Sequence, residues 1–138
     1  IKMRKYNKEQ KEYMNAKAIL SALEDQENEM EADFVKSLGV VNPDGSIPTK
    51  TWAIDDDEIA DKAITDFGKI EEESGLWAEI LKARENFKAA EEALIQYALS
   101  IIPFKKEREI LTQAAKNSIK YREEIISTVL KLDVSTVK

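Results

Sequence analysis

Histidine and cysteine are both absent from these 138 residues. Without histidine, no side chain has an ordinary pKa between about 5 and 8. Without cysteine there is no thiolate, so disulfides and thiolate zinc sites are excluded, as are imidazole bases and ligands. The missing cysteines suit a reducing compartment, and a cytoplasmic location is expected. Glycine (4) and proline (3) are scarce and, apart from Gly68, fall between helix-like stretches rather than inside them. No run approaches the ~18–20 apolar residues that a membrane span needs, so no membrane partner is expected. No G-x-S-x-G elbow and no phosphate-binding glycine loop occur, which leaves serine and threonine without the setting that makes them nucleophiles. There is no internal repeat and no low-complexity segment. The opening Ile1-Lys2-Met3-Arg4-Lys5 is followed by no apolar signal core, and a start on Ile1 rather than Met is what a trimmed or partial chain shows.

What is present is charge and hydrophobicity at helical spacing, with 43% apolar and 35% charged residues. A chain of this length buries roughly 68% of its unfolded surface as one domain. That domain is expected to span 1–138, with residues 1–6 and 133–138 frayed. The net charge of −6 is unevenly spread. Residues 1–20 carry six bases and two acids, residues 21–75 carry sixteen acids and four lysines, and residues 104–138 carry eight bases and five acids. Basic ends around an acidic middle fit antiparallel helices laying opposite charges side by side. A basic arm for an anionic partner is the other reading.

Asn7 and Gln10 form a capping-box pattern that starts a first helix. Its stripe is Tyr13, Ala16, Leu20, Leu23, Met30, Phe34 and Leu38, broken by Glu27 and stopped at Gly39. At about 1.5 Å per residue such a helix approaches 45 Å, which predicts an elongated bundle. Residues 40–48 read as a small β-hairpin around Pro43-Asp44-Gly45, ended by Pro48. Asp55-Asp56-Asp57 open a shorter second helix, in which Gly68 implies the close approach of a neighbour, and Ser74-Gly75 ends it. A third helix follows to Ile101, apolar nearly all round over residues 93–102. Pro103 starts a fourth, continuous to about Leu132, with a second apolar row of Ile110, Ile119, Ile126 and Leu130. The fold class is therefore all-α, an antiparallel bundle of three long helices and one shorter helix with a hairpin insertion.

Two motifs point towards metal. Asn42, Asp44 and Gly45 stand where half of an EF-hand loop would place them, but positions 1 and 12 hold Val40 and Thr51 instead of acids, so an ordinary turn is the reading. Glu24 and Glu27 are spaced E-x-x-E, and Glu58 and Asp61 E-x-x-D, each pair on one helix face. These pairs resemble those of the all-α nucleotide pyrophosphatases of the MazG kind, and the resemblance implies Mg²⁺ held between two helices for a pyrophosphohydrolase reaction. It covers only the spaced pairs, and Asp25 follows Glu24 where the family has adjacent glutamates. Otherwise Glu27 is a partly exposed acid paired with a lysine from the third or fourth helix.

Two clusters would serve a nucleic acid: Lys2, Arg4, Lys5, Lys8 and Lys11, or Lys105, Lys106, Arg108, Lys116, Lys120 and Arg122. Both are interleaved with glutamates, and phosphate binding by an acidic protein needs a segregated basic face. A protein partner fits better. The apolar positions Trp52, Ile54, Ile95, Leu99, Ile102, Ile119, Ile126 and Leu130 exceed what a two-helix contact covers, unless the helices bury them all within one chain. The function expected is a non-enzymatic, self-associating interaction module of the adaptor, assembly or chaperone type, with no catalytic residue, cofactor or metal. A Mg²⁺-dependent hydrolase using Glu24, Glu27, Glu58 and Asp61 is the alternative, and a nucleic-acid-associated helical protein the second.

Overall fold

The computed structural model describes residues 5–101 and 105–132. Five α-helices follow in order among the described residues: α1 (Lys8–Ser37), α2 (Asp57–Ser74), α3 (Leu76–Ser100), α4 (Lys105–Asn117) and α5 (Ile119–Leu130). A single 3-10 turn, Thr51–Ala53, precedes α2. Of the ends expected to fray, 1–6 and 133–138, residues 1–4 and 133–138 lie outside the described residues, as do Ile102 and the start at Pro103.

The helix boundaries have local causes. The capping box at the start of α1 is formed reciprocally. Asn7 N donates to Gln10 Oε1 at 2.8 Å, and Gln10 N donates to Asn7 Oδ1 at 2.8 Å. Asp56 caps α2 by accepting from Ile59 N at 3.1 Å, and Asp57 and Glu58 add charge to the first turn. Gly75 separates α2 from α3 by taking φ +78°, a left-handed conformation that costs glycine little.

Three expectations need correction. The hairpin is absent, and no strand occurs among the described residues. Residues 40–48 form one tight turn, with Asn42 N on Ser46 O and Gly45 N on Asn42 O, each at 2.9 Å. A ladder does not extend from it. Pro48 has no N–H to give, Ser46 N is taken by Asp44 Oδ1 at 2.9 Å, and the Asn42 side chain bonds forward to Ala53 and Asp55 instead of a partner strand. The long fourth helix is two helices. Ser118 is extended (φ −140°, ψ 114°), and its hydroxyl accepts from Tyr121 N at 3.1 Å, so it ends α4 and caps α5. Gly68 meets no close neighbour: a Cβ built there has open space within 4 Å.

The chain sorts into two compact units, a terminal unit (Ile1–Ala18 with Glu85–Lys138) and a central unit (Ile19–Arg84). The core of the terminal unit is Tyr13, Leu94, Ile95, Leu99, Ala115, Ile126 and Val129, with the Phe87 ring packed tilted against Tyr13, 5.3 Å between centroids. Gln10 is fully buried there. Its Nε2 donates to Val129 O at 2.8 Å, a carbonyl that also accepts from Leu132 N at 3.1 Å, and to Leu132 O at 3.2 Å just past the end of α5. The core of the central unit is Val35, Ile54, Ala60 and Ala63 with Phe34 and Val40, and Phe67 lies against Phe34 at 5.7 Å.

Candidate functional site

The loop between α1 and α2 is held by polar side chains, and while Ile54 packs into the core, Val41, Ile47 and Trp52 point outward. Buried Glu31, on α1, clasps one end. Its Oε2 accepts from Thr51 N at 2.9 Å and Thr51 Oγ1 at 3.0 Å, and its Oε1 from Lys50 Nζ at 3.2 Å. Lys50 Nζ also donates to Asn28 Oδ1. Buried Asn42 joins two parts of the loop, donating to Ala53 O at 3.0 Å and accepting from Asp55 N at 3.1 Å. Asp44 closes the turn by accepting from the Ser46 amide and hydroxyl, which holds its carboxyl below the ordinary carboxylate range. No buried side-chain polar atom lacks a partner among the described residues. Bonds of this kind fix a backbone without asking its apolar side chains to turn inward. Val41, Ile47 and Trp52 are accordingly 60%, 67% and 74% exposed.

Beside this loop runs a groove of about 480 Å³ lined by Leu38, Val40, Ile59 and Ala63, with Glu58, Lys62 and Asp66 at its edge. An adjoining hollow of about 380 Å³ shares Val40 and Ile59 and adds Val41, Asn42, Pro43, Asp55 and Asp56. The terminal unit has a hollow of about 330 Å³ among Leu99, Leu111, Tyr121, Ile125 and Val129. It is bordered by Ile101 and Leu132, whose sequence neighbours lie outside the described residues.

The carboxylates expected to gather a metal are arranged differently. Glu24 and Glu27 are half-buried on α1, whereas Glu58 and Asp61 are exposed on α2. Among the described residues no three acids are grouped closely enough to hold a metal ion. Glu27 meets not a lysine of the third or fourth helix but the carboxyl of Glu71 on α2, with which it shares a hydrogen bond. Burial, that bond, and the negative charges of Glu27 and Glu31 push Glu71 up to about 7, against a smaller opposing pull from Arg84. Arg84 lies over the Trp77 ring at 5.5 Å.

The residues expected at an interface divide by burial. Ile95, Leu99 and Ile126 belong to the terminal core and Ile54 to the central one. Leu130 is half-buried, Ile102 lies outside the described residues, and Trp52 and Ile119 are exposed, Ile119 at 78%. In the terminal unit Arg122 bonds Glu92 at 2.6 Å and lies 3.6 Å from Glu91, which holds the Glu92 carboxyl below its ordinary range.

The sequence reasoning missed Glu31, Lys50 and Glu71, and it took Asn42 for a turn residue without its bonds to Ala53 and Asp55. Glu31 lies four residues after Glu27 on the same helix face, and that spacing was the available signal. Glu71 is distant in sequence, and nothing local announces its contact. No protein-family model, curated protein or solved structure matches this chain.

Proposed function

We propose that the chain is a non-enzymatic, self-associating protein-interaction module of the adaptor or assembly kind, working in the cytoplasm, with the α1–α2 loop as its contact surface. The observation that carries this reading is Trp52, 74% exposed on a backbone fixed by Glu31 and Asn42. An indole left in water on a mobile segment says little, but one displayed by a preorganised loop loses little ordering entropy when it is covered. Tryptophan is also the side chain most enriched among residues that dominate interface energies. Val41 and Ile47 extend the outward apolar surface. The burial of Ile95, Leu99 and Ile126 inside the terminal core moves the weight of the reading onto Trp52 and Ile119.

A Trp77→Phe variant leaves Trp52 as the sole indole and tests this directly. Its emission should be that of a water-exposed indole in dilute solution and shift to the blue as concentration rises. Emission unchanged up to near-millimolar protein contradicts the reading.

A further inference from the structure

We propose that the acid-edged groove of the central unit takes the Ile119 corner of a second copy of this chain. The proposal rests on the interaction reading above and names the counterpart surface.

Ile119 is the most exposed large apolar residue among those described. It sits at the first position of α5, directly after the Ser118 cap, so its backbone is fixed. Exposed Lys116 and Lys120 stand on either side of it in sequence. The corner is thus an apolar knob flanked in sequence by two cations, of which Lys116 also lies near the Glu92 carboxylate.

The groove has the opposite character. Leu38, Val40, Ile59 and Ala63 give it an apolar lining, Glu58 and Asp66 edge it, and Lys62 is the single base among the lining residues. Asp55 and Asp56 continue the negative edge into the adjoining hollow. An aliphatic side chain carried between ammonium groups matches both properties at once.

The wider charge distribution favours the same pairing. Residues 19–84 carry seventeen acids and six bases, −11, and the rest of the chain carries ten acids and fifteen bases, +5. Two central units repel each other, whereas a central unit and a terminal unit of different copies attract. That selects a heterologous contact, groove to corner, over a patch meeting itself. Such a contact propagates into a ring or chain, or closes as a two-fold pair when made reciprocally.

Complementation between two variants tests the proposal. One disables the groove (Glu58→Lys with Ile59→Lys) and the other the corner (Ile119→Asp with Lys120→Glu). All four positions are exposed, and unchanged helical circular dichroism checks that each variant folds. If the groove variant fails that check, Glu58→Ser with Asp66→Asn replaces it and should weaken association about threefold. In sedimentation velocity at low salt, the unmodified chain should associate, and each variant alone should do so at least about tenfold more weakly. An equimolar mixture should regain a pair and nothing larger, because one intact groove and one intact corner remain. A mixture that stays monomeric while the unmodified chain associates overturns the proposal, as does either variant associating normally. If that happens while Trp52 emission still shifts with concentration, the groove-to-corner pairing falls and the interaction reading stands. If neither association nor the emission shift is seen, both fall.

Discussion

Replacing Glu71 by glutamine should make this protein more stable, and only above about pH 5. In the folded chain the Glu71 carboxyl is held up to about 7 against an ordinary value of 4.5, by burial first and then by Glu27 and Glu31. A carboxyl raised in this way is protonated in the fold at pH values where the unfolded chain has already lost its proton. Folding therefore takes up a proton between about 4.5 and 7, and stability falls as pH rises through that window. Each unit of displacement is worth about 1.4 kcal/mol, so the full displacement corresponds to about 3 kcal/mol. Glu71 is only half-buried, and solvent screening cuts the realised penalty to about 1 kcal/mol. Glutamine keeps the shape, offers Glu27 an N–H donor and carries no charge. Thermal unfolding of both chains from pH 5 to 8 reads the difference. The variant should match the parent near pH 5 and melt about 3–4 °C higher at pH 8. Glu27→Gln, which removes the neighbouring charge but not the burial, should reproduce only part of the gain. A Glu71→Gln chain that is neutral or less stable at pH 8, or an advantage independent of pH, refutes the reasoning.

Three further outcomes are expected. Glu31→Ala should cost about 2 kcal/mol in chemical denaturation, because the buried Thr51 amide and hydroxyl lose their acceptor. The same change should speed hydrogen exchange at Thr51 while leaving exchange at Leu94 in the terminal core unaltered. Gln10→Ala should cost about 2 kcal/mol by opening a buried hole, removing a second donor from the Val129 carbonyl and taking the Gln10 amide from that of Leu132, read in the same denaturation assay. Gly68→Ala should raise stability by about 0.5–1 kcal/mol, since the position is helical and the added methyl meets open space. A loss there would mean that a neighbour does pack on Gly68.

Much of the helical framework was legible because its signals are local. Asn7 with Gln10, the aspartate run before α2, and the glycines at 39 and 75 mark ends through side chains or φ values acting within a few residues. The break at Ser118 was not legible from periodicity, because the apolar rhythm runs through it from Ala115 to Ile126 and Val129. Only the capping chemistry of the serine distinguishes it. The hairpin failed for a related reason. Asn42, Pro43 and Gly45 specify a turn, and the sequence says nothing about where the Asn42 side chain bonds. Glu27 stands out as a break in the apolar stripe, but its partner Glu71 lies on α2, and contacts between distant segments leave no trace in spacing. Of the candidate surface, Trp52 and Ile119 were legible as apolar residues. Their exposure follows from the Glu31 and Asn42 clasps and the Ser118 cap.

Static light scattering of the unmodified chain, from micromolar to near-millimolar protein in low and then high salt, tests self-association most directly. The apparent mass should climb from one chain to two or more with concentration, and the climb should weaken as salt screens acidic grooves from basic corners. A mass of one chain at every concentration and both salt levels would contradict it.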